Sequence, residues 1–212
     1  MAGKLFALKK WLSIADAAKR LSASFGEEVT EADIFRLALD GELRLSAEIY
    51  GFVHARKAEI VDLAQAKRKE LPDLSDSGKI ERFIAGTVFK DGEDWMVIEP
   101  QKDYVILDGV FDLMMIGGER SHILSLYQET AHNTDVSFVH LDGSFVRDSE
   151  WVYCLYEREL DKKTKEYVYY PMNGIPEYSN LVIRKDELVR FENSLNDADD
   201  KPLSNRERNT LL

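Results

Sequence analysis

The sequence predicts an α+β fold in which two capped helices and a wing-like strand precede a strand-rich, mostly antiparallel domain with flanking helices. Two observations support this prediction. Near the amino terminus, apolar residues recur at helical spacing, whereas from about residue 79 they fall in short runs separated by Asp-Gly turns. The apolar fraction of 44% is that of an ordinary globular chain.

Both helices near the amino terminus have start signals. Ser13 and Thr30 are N-cap residues, and Asp16 and Asp33 follow each of them at the spacing of a capping box. The second helix ends at Asp40-Gly41, where glycine accepts the left-handed conformation. The predicted buried faces are Ile14, Ala17, Ala18 and Leu21 in the first helix and Ile34, Phe35, Leu37, Ala38 and Leu39 in the second.

A short strand is predicted directly after the second helix. Leu43 and Leu45 alternate with Arg44 and Ser46, which is the period of a half-buried strand. The runs WLSIADAAKRL and VTEADIFRLALDGELRL, within residues 11–50, resemble the winged helix-turn-helix of the MerR and excisionase type. The turn formed by residues 22–28 is longer than is usual in that family.

This resemblance implies a regulatory or accessory protein that binds double-stranded DNA. Under this resemblance, we expect Arg36 to contact base edges and Lys19, Arg20 and Arg44 to contact the phosphate backbone. A further helix, predicted from about residue 55 to 71, adds two possible phosphate contacts, Arg56 and Lys57. The exposed face of the second helix also carries Glu31, Asp33 and Asp40, however, and acids repel phosphate.

Charge is unevenly distributed along the chain. Residues 1–70 hold 12 basic and 11 acidic residues, whereas residues 71–212 hold 16 and 28, and the net charge is −11. An alternative function is therefore a protein-interaction module, in which the acidic later domain docks a partner without DNA contact. A protein partner or a homodimer is expected under both hypotheses.

The predicted domains are residues 1–72, the winged unit with its extension helix; residues 79–196, the acidic α+β domain; and residues 197–212. The run PDLSDSG forms the boundary between the first two. In the last segment Ser204 and Glu207 have capping-box spacing, and Leu211-Leu212 begin an apolar face. We expect either that the natural chain continues or that these leucines meet a partner. Residues 104–131 also faintly resemble a group of uncharacterised bacterial proteins.

No catalytic, metal or cofactor site is predicted, so we expect a protein that is not an enzyme. The four histidines have no metal-site spacing, and Cys154 is expected to be a buried, inert thiol in a reducing cytoplasm. No apolar run is long enough for a membrane span, so no membrane association is expected. Five tyrosines at 153, 156, 167, 169 and 170 suggest either a stacking platform for single strands or structural aromatics and a protein contact surface.

Overall fold

A computed structural model describes residue 6 and residues 8–72, 80–136 and 142–199. Strands account for 44% of these residues and helices for 28%. The chain divides into two compact units, one of residues 1–46 and 181–212 and one of residues 47–180. The predicted α+β fold with an N-terminal winged helix-turn-helix is wrong, because the two short helices are followed by a large antiparallel sheet.

In chain order the described elements are β1 (Trp11–Ser13), α1 (Ile14–Phe25), α2 (Glu31–Leu39), β2 (Ser46–Asp62), β3 (Arg68–Pro72), β4 (Ile80–Ile84), β5 (Thr87–Asp91), β6 (Asp94–Leu113), α3 (Gly118–His132), β7 (Phe145–Arg147), β8 (Val152–Leu160), β9 (Tyr167–Pro171), β10 (Ser179–Arg184) and α4 (Lys185–Asp199).

The caps of α1 and α2 are confirmed. The Ser13 hydroxyl accepts a hydrogen bond from the amide of Asp16, and Thr30 and Asp33 form a complete capping box. The two helices pack together in the first unit, where β1 pairs antiparallel with β10. All the apolar residues predicted for the buried faces are buried except Leu37, which is half-buried.

The predicted wing is wrong. Leu43 and Leu45 are buried, but they lie in a loop and not in a strand. Between them, the amide of Arg44 donates to the carboxylate of Glu187 on α4, at 2.9 Å, and not to a neighbouring strand. The alternation of leucines therefore reflects a loop that is anchored to a helix.

The predicted helix from residue 55 to 71 is also wrong, because residues 55–62 belong to β2 and residues 68–71 belong to β3. The residues from His54 to Ala58 pair antiparallel with β8. Two apolar residues that a helix here would place on its buried face are exposed: Ile60 is 40% exposed, and Ala64 is exposed as well. Ala55 and Ala58, in contrast, are buried in the sheet.

The second unit is built around a ring of strands. Strands β2, β6, β7 and β8 pair in that order, and β8 pairs back with β2. Strand β5 adds to β6, β9 adds to β8, and β3 and β4 form a separate two-stranded sheet. Part of the core is a cluster of Ala58, Ile98, Phe145, Val152 and Cys154.

Several predicted features of this unit are confirmed. The turn after Asp91 joins β5 and β6, and β8 and β9 form a hairpin that carries the five tyrosines named above. A predicted strand that leads into a helix is confirmed as well, as β10 and α4, but most of this pair belongs to the first unit. The glycine pair Gly117-Gly118, whose sequence is typical of a plain turn, instead begins α3, with Gly117 as the N-cap.

Three predictions lie wholly or largely outside the described residues: the boundary at 72–78, a strand that the apolar run at residues 138–141 indicates, and the capped segment at 204–212. Among the helices that the structure describes, none combines the length and apolar character needed to cross a bilayer.

Candidate binding sites

The four basic residues predicted for DNA binding in the first unit lie on different elements. Lys19 and Arg20 lie on α1, Arg36 lies on α2, and Arg44 lies in the loop after α2. Arg20 makes two hydrogen bonds to the carboxylate of Glu192, at 2.9 and 3.0 Å. Arg36 bonds to Asp40 at 2.8 Å. Two of the four residues that were predicted to contact DNA are therefore already paired with carboxylates of the same unit.

Arg56 and Lys57 lie on β2, and both contact aromatic rings. The guanidinium carbon of Arg56 lies 4.1 Å from the ring centroid of Tyr104 and 5.1 Å from that of Tyr156. Its Nε atom is buried without a hydrogen-bond partner in the described chain. The Lys57 ammonium lies 4.6 Å from the Trp151 ring. Cation–π contacts of this kind stabilise the sheet and leave less of each cation for phosphate.

The five tyrosines of the predicted platform are not equivalent. Tyr169 stacks on Tyr104 at 4.0 Å between centroids, and Tyr156 meets Tyr104 edge-on at 5.3 Å. Tyr153 is buried and donates to Asp148 at 2.9 Å, and burial with this bond raises the pKa of Tyr153 to about 12. Only Tyr167 and Tyr170 are half exposed. Most rings of the predicted platform therefore pack against other residues of the chain and are not free to stack on bases.

A cleft of about 700 Å³ lies within the second unit. Three aromatic rings of its wall are open to solvent: Phe52 is 82% exposed, Tyr178 is 76% exposed and Tyr50 is 48% exposed. Apolar rings exposed to this extent are typical of binding surfaces when they line one cavity.

Three carboxylates, those of Glu157, Glu159 and Glu177, line the same cleft. None of them makes an ion pair or a side-chain hydrogen bond with a residue that the structure describes. Arg158 also lines the cleft, but its guanidinium carbon sits 4.2 Å from the Tyr167 ring centroid. The cleft is therefore both aromatic and anionic.

Two histidines in the wall do not offset this negative charge. Burial lowers the pKa of His122, and burial together with the charge of Arg158 lowers the pKa of His54. The amide of Ile175 donates to Nδ1 of His122 at 3.0 Å, which places the imidazole proton on Nε2. Both rings are therefore neutral at physiological pH. No group of three or more metal-ligating side chains occurs in the described ranges.

A smaller pocket, of about 230 Å³, adjoins the start of α3 and shares His122 with the cleft. A Cβ on Gly118 would lie 2.6 Å from the Ser144 hydroxyl and 2.7 Å from the Gly174 amide, so only glycine allows this close approach. The fully buried carboxylate of Glu119 accepts hydrogen bonds from the amides of Ile116, Gly117 and Phe145.

No local sequence pattern predicts the cleft. Phe52 and Tyr178 are more than 120 positions apart in the chain, and only the fold brings them to one cavity. The one usable signal was the set of acids interleaved with the tyrosines of β8, including Glu157 and Glu159. Comparisons of this chain with models of protein families, with curated proteins and with solved structures find no match.

Proposed function

We propose that this protein is a protein-interaction module whose second unit docks a basic segment of a partner. The observation that carries the proposal is the cleft in which three carboxylates without partners in the described chain accompany three exposed aromatic rings. A Lys or Arg side chain satisfies both features, since it neutralises a carboxylate and its cation is attracted to an aromatic face.

The same chemistry argues against a phosphate-bearing ligand in this cleft. Both histidines are neutral, and Arg158, the only other basic side chain among the described residues of the wall, contacts Tyr167. Placing phosphates beside three carboxylates is repulsive. A basic peptide therefore fits better than single-stranded nucleic acid.

The test is binding of a short fluorescein-labelled peptide of alternating Gly-Arg and Ser-Arg pairs, measured by fluorescence polarisation. The triple variant Glu157→Gln, Glu159→Gln, Glu177→Gln should weaken binding about tenfold, because three rim charges together contribute roughly 1.4 kcal/mol. Phe52→Ala should weaken binding as well, with little effect on stability, because this ring is 82% exposed.

A matched control removes three exposed acids outside the cleft, Glu93→Gln, Asp103→Asn and Glu129→Gln. It changes the net charge equally and should leave the affinity within about twofold. Equal losses in both triple variants would show general charge attraction and refute the proposal. Failure of the unmodified protein to bind the peptide, or tighter binding of single-stranded DNA, would refute it too.

A further inference from the structure

The first unit contains a second, separate surface, which is a groove of about 840 Å³. Leu21 and Phe191 form its buried floor. Phe25 packs edge-on against Phe191, with 6.4 Å between centroids. The apolar walls are incompletely covered: Val29 and Leu37 are half-buried, and Leu195 is 40% exposed. We call this surface the helical groove.

Carboxylates surround this apolar floor. Among the described residues that line the helical groove, Glu27, Glu28, Asp33 and Glu42 are acidic and Arg36 alone is basic. The Arg36 guanidinium is already bonded to Asp40 at 2.8 Å, and Asp33 serves as the capping-box partner of Thr30. Within the described ranges, Glu27 and Glu28 make no side-chain hydrogen bond or ion pair. The rim therefore has an excess of negative charge.

The elements that line the groove restrict what can occupy it. Its residues come from α1, α2, α4 and the loops that follow α1 and α2. An extended peptide that pairs with a sheet needs a free strand edge, and helices and loops do not provide one. An amphipathic helix needs only an apolar trough for its apolar stripe, and flanking charges of opposite sign improve the fit.

We infer that the helical groove binds an amphipathic α-helix of a partner protein, with an apolar stripe and Lys or Arg residues beside it. The stripe covers the apolar floor and walls, and the basic flank meets Glu27, Glu28 and Glu42. This site differs from the aromatic cleft in its unit and in the conformation that it selects.

The probe is a fluorescein-labelled peptide of Leu and Lys arranged so that the leucines fall on one helical face. The matched peptide has the same composition in scrambled order. We expect the segregated peptide to bind at least about tenfold more tightly than the scrambled one, and to gain helical circular dichroism on binding. Equal affinities would show charge attraction alone and would overturn the inference.

Variants of the full chain locate the site. Glu27→Lys with Glu28→Lys reverses two exposed charges of the rim and leaves the core unchanged. This double variant should bind the segregated peptide about tenfold more weakly, or weaker still. Leu195→Ser should also weaken binding of the segregated peptide, because this apolar side chain lies in the groove wall and is 40% exposed to a ligand. Glu93→Lys with Glu129→Lys is the charge-matched control and should have little effect.

The cross-test keeps the two proposals separate. The triple cleft variant should bind the helical peptide as the parent chain does and bind the Gly-Arg peptide about tenfold more weakly. The Glu27→Lys, Glu28→Lys variant should show the reverse pattern. Loss of the helical peptide in the cleft variant alone would overturn the inference. Sedimentation equilibrium tests whether a second copy of this chain occupies the groove. A dimer that only the groove variants dissociate would mean that a second copy, and not a partner protein, fills the groove.

Discussion

At the scale of single residues, Cys154 shows how burial suppresses reactivity. It is buried in the core cluster of the second unit, and burial raises the pKa of its thiol to about 12. The thiolate is the reactive form, so at about pH 8 the folded protein should react with iodoacetamide about a thousandfold more slowly than a free thiol. Urea-unfolded protein is the control, and mass spectrometry counts the adducts. Complete labelling of folded protein within minutes would contradict the assignment.

Glu119 is a second residue whose surroundings decide its role. Two amides donate to its Oε1 atom and the amide of Phe145 donates to Oε2 at 2.9 Å. Burial raises the pKa of this carboxyl, and the amide donors act in the opposite direction. The carboxyl links the start of α3 to β7, so it serves the fold by satisfying buried backbone donors.

Substitution of Glu119 should therefore destabilise the protein. Glu119→Ala leaves three donors unsatisfied and should lower the free energy of unfolding by about 3 kcal/mol or more. Glu119→Gln should cost roughly 1–3 kcal/mol, because the amide group can accept at only one of its two terminal atoms. Urea unfolding measures both, with the exposed Glu129→Gln on the same helix as the control. Equal stability of Glu119→Ala and the parent chain would refute this role.

At the scale of elements, the pair of Arg20 and Glu192 connects α1 to α4. Its side chains are only 25% and 12% exposed, and the Ser24 hydroxyl also donates to Glu192. Burial works to raise the pKa of Glu192, but the bonds from Arg20 and Ser24 outweigh it and lower this pKa. A carboxylate with a lowered pKa stabilises the fold above its unfolded pKa, and this contribution disappears as the pH falls through the folded pKa.

Arg20→Gln should therefore lower the free energy of unfolding by roughly 1–2 kcal/mol at neutral pH. The difference from the parent chain should shrink as the pH falls below the ordinary glutamate value of 4.5, because protonated Glu192 no longer pairs with Arg20. Lys19→Gln removes the neighbouring exposed cation and is the control. If the difference in stability between the parent chain and Arg20→Gln does not change as the pH falls well below 4.5, the ion pair contributes nothing to stability.

The elements also show what the sequence could predict. Local chemistry determines the caps of α1 and α2 and the hairpin at Asp91, because partners three or four residues apart suffice for each. The segment at 55–71 was assigned to a helix because its charges and alanines favour one locally. Pairing with β8, about a hundred residues later, overrides that preference. The cleft also forms only when strands far apart in the chain pair with each other. The spacing of residues along the sequence therefore does not identify the residues that line it.

At the scale of the whole molecule, the net charge of −11 sets the long-range field. Arg20 and Arg36 are paired with carboxylates, and Arg56 and Lys57 contact aromatic rings. The field repels a duplex, since phosphate binding depends on cations that release counterions. Four of the six predicted DNA contacts are therefore engaged within the chain, and the net negative charge works against attraction of a duplex.

We expect no binding of a mixed-sequence duplex at about 0.15 M salt, measured by fluorescence polarisation at protein concentrations where the basic peptides saturate. Arg36→Glu with Arg44→Glu distinguishes this from specific recognition. Under the interaction-module proposal, this double variant leaves the duplex signal at background and the binding of the Gly-Arg peptide unchanged, because both substitutions lie outside the second unit. If the parent chain instead binds a duplex and the double variant does not, with an affinity that falls steeply as salt rises, direct DNA binding is the function and the cleft has another role.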